Sequence, residues 1–132
     1  MTNMTSYRDP IGVHPPLGAY THAIAVPAGA QTLYVSGQVG VRPDGSIGGD
    51  MIDQAEQAFR NLGIILSANG FGFGDLVKLT TYIVQGQSAA KVLAVRRSYL
   101  GTHRPTAAAV YVSGLFAPEW LVEIEAVAAR QV

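Results

Sequence analysis

The stretch His103-Arg104-Pro105-Thr106-Ala107-Ala108-Ala109-Val110, followed after a loop by Leu121-Val122-Glu123-Ile124-Glu125-Ala126-Val127-Ala128, decides how this chain is read. The chain passes through Gly101 to Pro105 into two strands, about 106–113 and 121–128. In the second, Glu123 and Glu125 alternate with Val122, Ile124 and Ala126, the period of two that a half-buried strand requires. Upstream, Ala89, Val92, Leu93, Arg96 and Tyr99 recur at helical spacing and predict a helix over 88–99. Before it, residues 78–84 are rich in threonine, tyrosine and branched side chains and read as a strand. A longer helix starts near Asp50: Ile52, Ala55, Ala58 with Phe59, Leu62 and Leu66 form one face, Asp53 and Glu56 sit near the positive end, and Asn69-Gly70 stops it. Extended segments are expected at 23–26 and 31–41, split by Pro27-Ala28-Gly29. In the second of these, Leu33, Val35, Val39 and Val41 share one parity and Tyr34, Ser36 and Gln38 the other.

The punctuation between these elements is equally legible. Residues 12–18, with Pro15-Pro16, can form neither helix nor central strand and read as a shaped loop. Arg42-Pro43-Asp44-Gly45 is a turn signal. Gly70-Phe71-Gly72-Phe73-Gly74 is a corner; it lacks the lysine and the spacing of a phosphate loop. The resulting order predicts one α+β domain over 1–132, two helices packed on one face of a mixed, mainly antiparallel sheet. The other face would carry Leu121 and Val127 among Glu123 and Glu125 with no helix to cover it. Packing against other subunits would resolve this and would create clefts between protomers, where small ligands bind.

Composition narrows the function classes. The 132 residues are 48% apolar and carry nine basic and nine acidic side chains. Zero net charge gives weak attraction for phosphate backbones, so nucleic acid is not an expected partner. The absence of cysteine excludes a thiol nucleophile, a redox dithiol and a thiolate zinc site. His14, His22 and His103 have no ligand spacing, so no metal is expected. No apolar run reaches the roughly 18 residues of a membrane span, and the N-terminus lacks a secretory signal's pattern; a cytoplasmic protein without membrane attachment is expected.

The order of elements, together with Gly18-Ala19-Tyr20, Val35-Ser36-Gly37-Gln38, the helix from Asp50 and Val122-Glu123-Ile124-Glu125-Ala126, resembles the RidA family, also called YjgF/YER057c/UK114, over nearly the whole chain. The resemblance implies a chorismate-mutase-like protomer, a homotrimer with its sheets facing inward, and ligand sites between protomers. Active members hydrolyse enamines and imines to 2-oxo acids and ammonia with no cofactor of their own, so the implied ligand is an imino or oxo acid. Some members carry an endoribonuclease or translation-inhibitor label.

Matched to the family pattern, Tyr20, Ser36 and Glu123 stand at site positions, with Glu123 as the catalytic candidate. Two positions depart from it. An arginine two residues after the strand's proline clamps the substrate carboxylate in active members, and here that position is Ala107. An asparagine on the second helix is replaced by Leu93. Arg104 lies three residues from Ala107, an odd separation that points to the opposite face of a strand. Losing one partner of a buried charge pair costs about 2–5 kcal/mol, which predicts little activity on iminopropanoate or iminobutanoate and leaves open a trimer that only binds a metabolite. Taken without the family, Glu123 and Glu125 read first as a solvated strand face, while Ser36 as a strand hydrogen-bonder and Tyr20 as a packing residue read no less readily than as site residues. His22 is a possible cleft residue. Arg96-Arg97 reads as a solvated helix face, and an aromatic in the 115–120 loop is expected to shape the cleft mouth.

Overall fold

The computed structural model describes residues 5–7 and 10–131. It holds strands β1 (Thr5–Tyr7), β2 (Ala23–Ala25) and β3 (Gln31–Val39), helix α1 (Met51–Ala68), strand β4 (Leu76–Val84), helix α2 (Ala89–Leu100), and strands β5 (Thr106–Val112) and β6 (Val122–Arg130). β1 and β2 form a separate two-stranded pair. The main sheet has the order β3-β6-β4-β5; β4 and β5 are parallel and the other pairs antiparallel. A parallel pair needs a crossover, and α2 provides it.

Each helix starts where a side chain satisfies its free amides. Asp50 Oδ1 accepts the Asp53 N–H at 2.8 Å at the head of α1, and Ser88 Oγ accepts the Lys91 N–H at 3.3 Å at the head of α2. The α1 stripe of Ala55, Ala58, Phe59, Leu62 and Leu66 is buried against Leu79 and Ile83 of β4 and Val122, Ile124, Ala126 and Ala128 of β6. Burying each large aliphatic or aromatic side chain contributes about 1.5–3 kcal/mol, so this layer holds the helices on one face of the sheet. Strand ends lie within a few residues of those expected.

Two details differ from the sequence pattern. Ile52 is 44% exposed, and Met51 is buried instead. In the first turn of α1, Ile52 faces Gln87, Ser88 and Lys91 rather than the sheet. In β3 the alternation breaks: Val35 pairs with Ala126 but Gln38 pairs with Ile124, which leaves one extra residue in β3. This bulge turns Gln38 to the helix side and places Val39 beside Glu123 on the open side. The bulge residues are Ser36 and Gly37.

Gln54 of α1 is a buried polar tie. Its Nε2 donates to Gly48 O at 2.9 Å and Glu119 O at 3.0 Å, and its Oε1 accepts the Leu121 N–H at 2.8 Å. The segment leading into β6 is thereby fixed to α1. Phe116 in that segment is 98% exposed. Residues 115–120 line neither of the hollows that hold the expected site residues, so the expected influence on a cleft mouth is not seen within the protomer.

Candidate functional site

Residues paired across adjacent strands share a face, so the register sorts the site positions. Leu79 pairs with Ala107 on one side and with Ala126 on the other, and both Leu79 and Ala126 are in the core. Ala107 therefore lies on the face that carries the helices. Tyr82 pairs with Val110 and with Glu123, which puts Glu123 on the open face. Exposed Ser36, next to buried Val35, also borders the open face. The expected residues thus fall into two groups separated by the thickness of the sheet: Tyr20, Leu93 and Ala107 on one side, Ser36 and Glu123 on the other.

The first group lines a cleft of about 420 Å³ between α2 and β5 that also includes Arg96, Arg97 and Ala109. Val92 and Val95 anchor α2 in the core, and the adjoining positions Leu93 and Arg96, one turn apart, reach the cleft beside β5. The 17–21 loop is tied to the start of β5 by the Thr21 N–H, which donates to Pro105 O at 3.1 Å. Tyr20 is held by the Leu17 N–H, which donates to its hydroxyl at 3.0 Å, and its ring packs edge-on against His22 with centroids 5.7 Å apart. His22 is bonded through Nε2 to His14 O at 2.7 Å and lies outside the cleft lining, so it supports Tyr20 and is not the cleft residue expected of it.

Arg96 overturns the reading of Arg96-Arg97 as a solvated face. Arg97 is exposed, but Arg96 is only 6% exposed. Burial lowers the pKa of its guanidinium from the ordinary value, and the neighbouring charges of Arg97 and Arg104 lower it further. Arg104 does not reach the cleft. It precedes β5 and folds onto the end of α2, donating through Nη1 to Gly101 O at 2.7 Å and His103 O at 3.1 Å. Strand parity therefore does not govern Arg104.

On the open face, Tyr34, Ser36, Lys78, Thr80, Glu125 and Val127 line a second hollow of about 360 Å³. The Tyr82 hydroxyl donates to Glu125 Oε1 at 2.5 Å, and this bond raises the pKa of Tyr82 above its ordinary value. Glu123 lies one facing row further along β6. Its carboxylate rests against Gly37, where a β-carbon would overlap it. Sequence reasoning missed Arg96, Lys78 and Glu125 as lining residues. The signal for Arg96 was its place three residues after Leu93, which puts both on one helical face. Among the described residues there is no group of three or more histidine or carboxylate side chains fit to hold a metal ion, and no helix is long and apolar enough to cross a membrane.

The profile of the family described as Endoribonuclease L-PSP matches residues 12–130. A 2-iminobutanoate/2-iminopropanoate deaminase of Mus musculus is 35% identical over 117 residues, 86% of this chain and 83% of that protein. The crystal structure of the Rid-family protein YyfB from Yersinia pestis superposes with a TM-score of 0.82 at 29% identity, covering 96% of this chain and 98% of that one. That of E. coli TdcF with bound serine gives a TM-score of 0.71 at 32% identity, covering 88% and 91%.

Proposed function

The chain belongs to the Endoribonuclease L-PSP family, the RidA or YjgF/YER057c/UK114 group, and from that premise we propose that it assembles as a homotrimer and hydrolyses small imines or enamines in clefts between protomers. One observation carries this reading: Tyr20, Leu93 and Ala107 lie on one face of the sheet while Ser36 and Glu123 lie on the other. No single protomer can bring these groups around one small ligand, whereas the helix-side cleft of one copy against the open sheet face of the next would do so. The open face suits such contact, since Tyr34 is 79% and Val110 45% exposed on it.

The chemistry asked of Glu123 is ordinary. On an iminium its carboxylate takes a proton from water as the water oxygen bonds to the carbon and the C=N π electrons pass to nitrogen, giving a carbinolamine. That proton then goes to the nitrogen, and as the C–N bond breaks the carboxylate takes the hydroxyl proton, so that a 2-oxo acid and ammonia leave. Ser36 and the Tyr20 hydroxyl are the polar groups that would orient the substrate. The Tyr20 oxygen accepts the Leu17 N–H and keeps its own proton to donate. The Mus musculus relative is named for this reaction, and TdcF holds an amino acid.

The test is hydrolysis of freshly generated 2-iminopropanoate by the wild type and by Glu123→Gln. Ala107 alone predicts little turnover, but with Arg96 lining the same cleft the wild type is expected to turn over, and Glu123→Gln to lose about 100-fold or more with its assembly unchanged. A trimeric wild type that binds 2-oxo acids without turnover would replace catalysis with the metabolite-binding reading, which the methyl side chain at Ala107 favours.

A further inference from the structure

We propose that Arg96 is the anion anchor of the cleft, receiving the carboxylate of a small 2-imino or 2-oxo acid from the helix side, opposite the methyl group of Ala107. The assignment rests on the reading that this cleft is the ligand site.

Three observations carry it. Arg96 lines the cleft yet is only 6% exposed, so its guanidinium sits where a ligand would complete its surroundings. Among the described residues no ion pair and no hydrogen bond engages that guanidinium; the ion pair they contain is Arg42–Asp53, on another part of the surface. The charges that act on it are those of Arg97 and Arg104, both of its own sign. A guanidinium largely withdrawn from water and facing only like charges among the described residues gains from an anion that accepts its N–H groups, and a ligand carboxylate is such a partner. The third observation is room. Facing α2, β5 presents Ala107 and Ala109, so the wall opposite the guanidinium is built from methyl groups.

A guanidinium binds a carboxylate through two parallel N–H donors, and that geometry can be reached from a helix as well as from a strand. Leu93, one turn before Arg96, supplies an apolar surface beside the bound anion. The ligand class that fits is therefore a carboxylate with a short, mostly apolar remainder. With Glu123 supplied by a neighbouring protomer, the substrate's reacting carbon would lie between the guanidinium that holds its carboxylate and the carboxylate that moves its protons.

Calorimetric titration with pyruvate and with its neutral methyl ester tests the proposal on the wild type, Arg96→Leu and Arg96→Leu/Ala107→Arg. The wild type should prefer pyruvate, Arg96→Leu should weaken pyruvate by about 30-fold or more while leaving the ester unchanged, and the arginine introduced at Ala107 should restore pyruvate binding. Unchanged pyruvate affinity in Arg96→Leu, or no preference for pyruvate over its ester in the wild type, would overturn it. If Arg96→Leu does not fold, the neutral Arg96→Gln takes its place, and the wild type's choice between acid and ester decides independently. The two proposals fail separately: a monomer that prefers pyruvate through Arg96 would sink the trimeric enzyme alone, and Glu123-dependent turnover indifferent to Arg96 would sink the anchor alone.

Discussion

A guanidinium beside a strand and one on the strand can serve the same ligand, and the difference between them is invisible to a comparison that asks only what stands at one position. Ala107 predicts a site without a cation, yet the cleft that contains Ala107 also contains the buried Arg96. Adjacent arginines on a helix point about 100° apart, so Arg96 and Arg97 have opposite fates although the sequence offers them as one pair. A second residue-scale dependence concerns Gly37. Its missing side chain lets the Glu123 carboxylate lie against the β3 bulge, and a methyl group there would collide with the flexible end of that side chain rather than with backbone. Gly37→Ala is accordingly expected to keep its melting temperature within a few degrees while turnover falls about 10- to 100-fold, since small misplacements of a catalytic group carry penalties of that order. Steady-state kinetics alongside thermal melting checks this; unchanged turnover would detach Glu123 from the chemistry.

The elements themselves were largely legible. Capping at Asp50 and Ser88, the apolar stripe of α1 and the alternation of β6 each follow from local chemistry, and the helices and strands lie where these signals put them. What the pattern could not give was non-local. The β3 bulge arises from pairing with β6, and it changes which of Gln38 and Val39 faces the core. The burial of Gln54 is equally hidden, because its partners Glu119 and Leu121 are far along the chain. Of the site, Tyr20, Leu93 and Ala107 do share a cleft, but their separation from Ser36 and Glu123 depends on strand register. Gln54→Ala would leave the Gly48 and Glu119 carbonyls and the Leu121 N–H without this partner, with an expected loss of about 2–4 kcal/mol. Chemical denaturation measures it, and a loss below about 0.5 kcal/mol would remove Gln54 from the account of how β6 is positioned.

At the scale of the whole molecule, the sheet separates a cleft lined by the Arg96 cation, which no ion pair engages among the described residues, from an open face bearing Glu123 and Glu125. The two faces are complementary in charge, and neither is a complete site. In the proposed assembly such halves would become one site as copies associate in a closed ring, each face meeting the other face of the next protomer. The most direct measurement is subunit complementation: Glu123→Gln and Arg96→Leu chains, each expected to be inactive on its own, are unfolded together in equal amounts, refolded, and assayed for imine hydrolysis. Random assembly should give both wild-type groups to about a quarter of the clefts and restore that share of wild-type turnover. A mixture as silent as its two components would contradict the account, because it would place both groups in a site within one protomer.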